Sequence, residues 1–226
     1  GTSDSSGRLS MSTGGPSGDY DITDDKTITI ADPGTTFIWT AGGSTTSWSD
    51  PANWDTGDGT PGNDGFPRLS DHNVSIPASP LPQPVLDTDL SGGINNLTIG
   101  GGASLSINGY PLGVTGTFRN YGEFRLHGDE SLTPANDTDS GTVVYYGAAP
   151  GLAMGSGYFN LSFQGSGTWN AAAGLSVAGT LFIDTGNTVA AGAGGLDTGG
   201  DVTGAGSLDG GSGAVNTAGS MLISVY

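Results

Sequence analysis

The sequence has no cysteine and little positive charge, and each shortage excludes a class of protein. Of 226 residues, five are Lys or Arg and 22 are Asp or Glu, which gives a formal net charge of −17 at pH 7. A chain with this charge repels a phosphate backbone and an anionic bilayer, so we expect no nucleic-acid partner and no binding to such a membrane surface. The absence of cysteine excludes a disulfide framework, a thiol nucleophile and a thiolate metal site.

Helix formers and long apolar runs are also scarce. The chain has two glutamates, Glu123 and Glu130, and one lysine, Lys26, against 43 glycines and 12 prolines. We therefore do not expect long helices. No stretch approaches the roughly 18 apolar residues that a spanning helix needs, so no membrane span is predicted. The hydrophobic share of 34% is nevertheless too high for a disordered chain, and we expect the chain to fold.

The start of the sequence bears on the location of the protein. Residues 1–21 have neither the basic start nor the apolar core of a signal peptide, and the first residue is Gly1 rather than Met. These features favour a protein that is secreted after removal of a leader, so we expect an extracellular or cell-surface location.

In place of helices, the chain has short apolar strands separated by glycine turns. From Val85 onwards many strand centres lie about eight to ten residues apart, which is typical of a parallel β-helix or of a β-sandwich. A Val-x-Gly-Thr-apolar phrase occurs at 114–118 and 177–181, with a weaker echo at 202–206, and the phrase at 165–169 returns at 211–215. Successive coils of a solenoid occupy equivalent environments, whereas sandwich strands do not, so these repeats favour an all-β, Gly-rich parallel β-solenoid; a β-sandwich is the alternative.

The composition divides the chain into three regions. Residues 1–20 are rich in Gly, Ser and Thr and are predicted to form a flexible N-terminal arm. Residues 21–84 are less periodic, contain three of the four tryptophans, and are predicted to form a strand and cap region. Residues 85–226 are predicted to form the solenoid coils, ending in an apolar C-terminal strand.

One stretch resembles a known family. The segment Trp48-Ser49-Asp50-Pro51-Ala52-Asn53-Trp54, preceded by Trp39-Thr40 and followed by Asp71-His72-Asn73-Val74-Ser75-Ile76, resembles the opening of β-solenoid repeat modules in secreted and surface-attached bacterial proteins of the adhesin or autotransporter-passenger kind. The resemblance covers roughly residues 36–215. It implies extracellular scaffolding or adhesion, and it supplies no catalytic residues.

Aspartate-rich loops are the candidates for metal binding, because calcium prefers several oxygen ligands. The candidate residues are Asp55, Asp58 and Asp64, the pair Asp87 and Asp89, and the pair Asp137 and Asp139. None of these groups has the EF-hand spacing, and aspartate commonly stabilises turns. We therefore interpret most of them as turn formers, and structural calcium is the one cofactor that we consider.

Sugar binding and catalysis have weaker signals. Trp39, Trp48 and Trp54 could stack on glycans if they were exposed, although a hydrophobic plug at the solenoid end is the favoured interpretation. His72 and His127 have no zinc-site spacing. A β-helix polysaccharide-degrading enzyme would combine clustered aspartates with Lys or Arg, which are rare here. The chain is accordingly not expected to be an enzyme.

The two ends of a solenoid expose unpaired backbone groups. Residues 219–226 form an apolar strand with no polar cap after it, and the N-terminal arm could reach a neighbouring copy. The predicted assembly interface comprises Leu9, Met11, Met221, Leu222, Ile223, Val225 and Tyr226. The leading hypothesis is a structural subunit of an extracellular filament or surface layer, in which copies assemble head-to-tail by strand pairing. The alternatives are an adhesive module that binds cell-surface or matrix glycans and the polysaccharide-degrading enzyme.

Overall fold

The computed structural model describes residues 34–133, 135–148, 151–171 and 173–225, together with four strand residues near the N-terminus. The chain divides into two compact units, Gly1–Asp32 and Pro33–Tyr226. In the first unit, β1 (Thr2–Ser3) pairs antiparallel with β2 (Leu9–Ser10). The predicted interface residues Met11 and Tyr226 lie outside the described residues.

The second unit consists of short strands and two single 3₁₀ turns in its described part. In chain order these are β3 Thr36–Trp39, the turn Pro51–Asn53, β4 Trp54–Asp55, β5 Asn73–Ile76, β6 Leu90–Ile94, β7 Leu97–Ile99, β8 Ser104–Ser106, β9 Leu112–Val114, β10 Phe118–Asn120, β11 Glu123–Leu126, β12 Thr142–Tyr145, β13 Gly157–Tyr158, β14 Asn160–Phe163, β15 Gly167–Asn170, β16 Leu175–Val177, β17 Leu181–Ile183, β18 Asn187–Ala190, the turn Gly192–Gly194, β19 Leu196–Thr198, β20 Val202–Asp209, β21 Val215–Thr217 and β22 Met221–Val225.

These strands stack in parallel to form a β-solenoid of about 7 turns, which confirms the predicted fold and rules out the sandwich. The longest sheet has nine strands and contains the order β8-β11-β12-β14-β17-β20, with β22 beside β20. A five-stranded sheet has the order β10-β7-β5-β3-β4, and a four-stranded sheet has the order β13-β16-β19-β21. Side-chain hydrogen bonds between neighbouring coils join residues 19, 20 and 21 positions apart, so one coil takes about twice the spacing read from the sequence.

The parallel stack begins earlier than residue 85. β5 pairs in parallel with both β3 and β7, so parallel stacking already occurs within the predicted strand and cap region. The antiparallel strand of the second unit's described part is β4, which covers Ile38 and Trp39 of β3. A strand of opposite direction closes part of the sheet edge there, because it occupies the backbone groups that another parallel coil would use.

Three tryptophans fill the interior at this N-terminal end. Trp39, Trp48 and Trp54 are each at most 1% exposed, and their rings meet edge to face with centroids 5.0 and 4.7 Å apart. Their indole N–H groups donate to the carbonyl oxygens of Pro82, Pro67 and Trp48, at 2.9, 3.0 and 2.7 Å respectively. The proposed glycan-stacking role of these residues is therefore wrong, because buried rings offer no face to a sugar, whereas the hydrophobic plug agrees with their position.

The repeated phrase has a specific origin in contacts between coils. The side-chain oxygens of Asn96, Asn160 and Asp201 accept hydrogen bonds from the backbone N–H groups of residues 117, 180 and 220 in the next coil, at 2.7, 2.9 and 2.7 Å. The residue before each donor is glycine, and a Cβ there would lie under 3.0 Å from the accepting oxygen. We call this arrangement the Asx–Gly contact. The phrases at 114–118 and 177–181 thus need glycine because the preceding coil's side chain fills the space, and the same is true of Gly219.

The register corrects two of the repeats. Gly204 lies within β20, so the echo at 202–206 is not equivalent to 177–181; Leu181 instead aligns with Val202, and Val202 aligns with Met221. The phrases at 165–169 and 211–215 also differ in position, because they lead into β15 and β21, which belong to different sheets. Similar short sequence segments therefore do not always occupy equivalent positions in the coil.

Candidate functional site

One of the predicted aspartate pairs lies where a sheet is interrupted. We call residues 136–139 the sheet interruption, because they follow β10 by one coil and precede β13 by one coil without forming a strand. Here side chains, rather than paired strands, make hydrogen bonds to the backbone of the neighbouring coils. Asp137 Oδ2 accepts from the Asn120 N–H at 2.8 Å, and Asn136 Nδ2 donates to the Gly157 carbonyl at 2.7 Å. The interruption is thus joined to the coil on each side by one polar side chain.

The two carboxylates of the interruption lie close together. Ser140 Oγ donates to Asp137 Oδ2 at 3.3 Å and to Asp139 Oδ1 at 3.1 Å, and the Asp139 N–H donates to Asp137 Oδ1 at 3.2 Å. Burial raises the pKa of Asp137, but hydrogen bonds from the backbone of Asn120 and from Asp139 and Ser140 outweigh it and hold the pKa below its ordinary value. Asp137 is therefore ionised at neutral pH.

Two unpartnered amide oxygens belong to Asn136, which precedes Asp137, and to Asn120, whose backbone N–H donates to Asp137. Among the described residues, the buried side-chain polar atoms without a hydrogen-bond partner are Asn120 Oδ1 and Asn136 Oδ1. Asn120 is 1% exposed, and its Nδ2 donates to the Thr142 carbonyl at 3.1 Å. Because both amide nitrogens already donate to carbonyls of the following coil, exchanging N and O would place oxygen against oxygen. The oxygen positions are consequently fixed by the hydrogen bonds of the nitrogens.

The other aspartate candidates accept hydrogen bonds in loops. Asp55 accepts from the N–H groups of residues 57 and 59, Asp58 from Thr60, Asp64 from the Thr56 hydroxyl, Asp87 from Ser47 and Ser49, and Asp89 from the Ser91 N–H. Hydrogen bonds from Thr60 and Ser91 lower the pKa values of Asp58 and Asp89. In the part of the chain that the structure describes, these residues do not form a cluster of three metal-ligating side chains. Asp55, Asp58 and Asp89 fit the interpretation as turn formers, because their backbone partners lie close in sequence. Asp87 instead joins two separate segments of the chain, since its partners precede it by 38 and 40 residues.

A cluster that sequence reasoning missed contains His127, Asp129 and Glu130, whose ligand atoms lie within 4.8 Å of one another. The Glu130 carboxylate is buried and accepts hydrogen bonds from the N–H groups of His127, Gly128 and Gly109. Its oxygens therefore connect two coils. The sequence signal was the HxDE spacing, which is too common to predict such a cluster.

The predicted assembly residues of β22 form an exposed edge. β22 pairs in parallel with β20, and no strand among the described residues pairs with its other side. Leu222 and Val225 are 68% and 49% exposed, whereas Met221 and Ile223 pack partly against the core. Residues 210–225 contain no charged side chain. Leu9 belongs to β2 in the other unit.

An exposed aromatic group lies on a different surface. A groove of about 660 Å³ is lined by Leu81, Tyr121 and Phe159, together with the polar residues Gln83, Glu123 and Asn160. Leu81 and Tyr121 are largely exposed. Apolar and hydrogen-bonding side chains thus face the same groove, which is a combination that suits a sugar ring.

Comparison with protein-family models, curated proteins and solved structures found no match for this chain. Within the described residues, no helix has the length and apolar character required to cross a membrane.

Proposed function

We propose that this protein is a structural subunit of an extracellular filament or surface layer, and that its copies join by β-strand pairing at the outer edge of β22. The observation that carries the proposal is the unpaired, charge-free edge of β22. Natural edge strands are usually protected by a charged side chain, a proline, a bulge next to the edge or a covering segment. The five residues of β22 include no charge and no proline, and Leu222 and Val225 project into solvent. The pairing of β22 with β20 has a register irregularity between Thr203 and Ser207, and β22 is paired on both sides of it.

The partner that we propose is the N-terminal arm of a second copy, which contains Leu9 and Met11. The opposite end of the stack is a less suitable acceptor, because β4 and the three tryptophans cover it. An arm that binds the edge of another copy makes a heterologous contact, and such contacts propagate into fibres when their rotation does not close. The resemblance to surface-attached solenoid modules and the acidic, Gly-rich composition support the extracellular location.

The test places charge on the edge without disturbing the core. Leu222→Lys combined with Val225→Lys should leave folded monomers that form no filaments, because lysine ammonium groups at a strand edge oppose further pairing. The matched control is Leu81→Lys combined with Phe182→Lys, which adds the same charge at exposed apolar residues outside β22. Removal of residues 1–20 tests the arm. Negative-stain microscopy and light scattering measure the outcome.

Two results would contradict the proposal. If the unaltered chain remains monomeric at high concentration, β22 is not an assembly edge. If the β22 variant forms filaments of normal length, assembly uses another surface.

A second candidate, a carbohydrate-binding module, is supported by the groove that contains Tyr121 and Phe159. Tyr121→Ala should reduce retention on an immobilised polysaccharide, because stacking on the exposed ring is lost. Tyr110→Ala is the matched control, since Tyr110 is also exposed but does not line this groove. Equal retention of the unaltered chain and the Tyr121 variant would exclude the groove as a sugar site.

A further inference from the structure

We propose that the sheet interruption is a calcium site formed by Asp137, Asp139, Asn120 and Asn136. The first argument is the coincidence of two independent features. The side-chain atoms left buried without partners in the described structure are two amide oxygens, and both belong to residues that hydrogen-bond across the interruption. The interruption also contains two neighbouring carboxylates, those of Asp137 and Asp139.

The second argument is that nearby donors are already used. The Thr142 N–H donates to the Gly122 carbonyl, and the Asn120 N–H donates to Asp137, so neither serves Asn120 Oδ1. The Asn120 side chain lies against the segment that follows the interruption: its Nδ2 donates to the Thr142 carbonyl, and its Cγ would lie under 3.0 Å from a Cβ at Gly141. A buried polar oxygen without a donor costs about 1–3 kcal/mol of desolvation. A cation at this position would satisfy it.

The third argument concerns the type of cation. Carboxylate, amide and hydroxyl oxygens are the ligands that calcium prefers, and Asp137, Asp139, the two asparagines and Ser140 supply only oxygen. Calcium tolerates irregular coordination, whereas magnesium requires near-octahedral geometry and retains its waters. A loop that lacks the regular ladder of its neighbours fits calcium better. The ion would also bring the two neighbouring carboxylates together as ligands.

The test is calorimetric titration of calcium chloride into the chelator-treated full chain. We expect one ion per chain, a dissociation constant of roughly 10⁻⁵–10⁻³ M, and binding of magnesium weaker by about tenfold or more. Asp137→Asn combined with Asp139→Asn should weaken calcium binding by at least about tenfold, because two charged ligands become neutral. The matched control, Asp58→Asn combined with Asp89→Asn, removes the same charge from exposed turns and should leave the affinity unchanged.

Three outcomes would overturn the proposal. If titration of calcium chloride into the unaltered chain gives no saturable binding heat, the two amide oxygens bind water only. If the control weakens binding as much as the Asp137 and Asp139 double variant, the ion is attracted by net charge alone. If the double variant fails to fold by circular dichroism, Asp139→Asn alone replaces it, because Asp139 is exposed; an unchanged affinity in that variant would exclude the site.

Discussion

Gly179→Ala should destabilise the solenoid, because the Asn160 side chain of the preceding coil occupies the place of the added methyl group. A Cβ at this position would lie under 3.0 Å from Asn160 Oδ1, whereas its other neighbours are at 3.2 and 3.3 Å. The backbone of Gly179 is not in the left-handed region, so conformational strain does not contribute. The asparagine must therefore move away.

The cost follows from the hydrogen bonds that Asn160 makes. Its Oδ1 accepts from the N–H and the hydroxyl of Thr180 at 2.9 and 3.1 Å, and its Nδ2 donates to the Gly141 carbonyl at 3.2 Å. At about 0.5–1.5 kcal/mol each, the complete loss of three bonds would cost about 1.5–4.5 kcal/mol. Thr180 is exposed and can bond water instead. We therefore expect a loss of about 2 kcal/mol in the free energy of unfolding.

Urea unfolding followed by tryptophan fluorescence measures this loss at constant m-value. The control is Gly92→Ala: a Cβ at Gly92 has no neighbour within 4 Å, so the change should stay within about 0.5 kcal/mol. Asn160→Ala alone should cost about as much as Gly179→Ala. The double variant should cost no more than Asn160→Ala, because the obstructing oxygen is gone, giving a coupling energy of about 2 kcal/mol. Two results would refute the Asx–Gly contact as the reason for the repeat. One is an equal loss of stability in Gly179→Ala and Gly92→Ala. The other is a double variant whose loss equals the sum of the losses of Gly179→Ala and Asn160→Ala.

Two further predictions concern pH. Burial lowers the pKa of His72 below 6.5 in the folded state, so the unfolded chain binds the proton more tightly. The contribution of neutral His72 to the free energy of unfolding is therefore complete above about pH 6.5 and is lost as the pH falls below that value. His72→Gln should flatten that segment of a stability profile, and an unchanged slope would contradict it. Burial raises the pKa of Tyr145 to about 12 and also raises that of Tyr158. The contribution of these two neutral tyrosines to the free energy of unfolding is therefore complete below about pH 10 and is lost at higher pH. An absorbance titration should find two tyrosines that ionise only on alkaline unfolding, and Tyr158→Phe should remove one of them.

The fold was predictable because a coil repeats its chemical environment. Leu181 aligns with Val202 and then with Met221, so the same kind of residue is needed at each level. Apolar residues return with glycine and a small polar residue beside them, and this recurrence separates a solenoid from a sandwich. The coil length does not follow from the spacing of strand centres, because each coil contains several short strands and the sequence marks strands rather than coils.

The candidate site was only partly predictable. Asp137 and Asp139 are visible in the sequence as an Asp-x-Asp pair, but the same is true of Asp87 and Asp89, which accept hydrogen bonds from Ser49 and Ser91. The distinguishing feature is Asn120, which comes from the preceding coil. Its proximity to the pair depends on the number of residues in that coil, and no local pattern reports this number. The burial of the three tryptophans likewise depends on β4 turning back onto β3.

The continuity of one sheet explains how the solenoid tolerates an interruption in another. At the level of residues 136–139, β11, β12 and β14 remain paired in parallel, with Glu123 opposite Thr142 and Thr142 opposite Asn160. Stacking through this level therefore does not depend on a strand between β10 and β13. Residues there are released from the requirement for alternating apolar side chains, and polar groups can collect without breaking the core. In a solenoid, we therefore expect a ligand site where one sheet is interrupted while the neighbouring sheet continues. The sheet interruption that contains Asp137 is such a place.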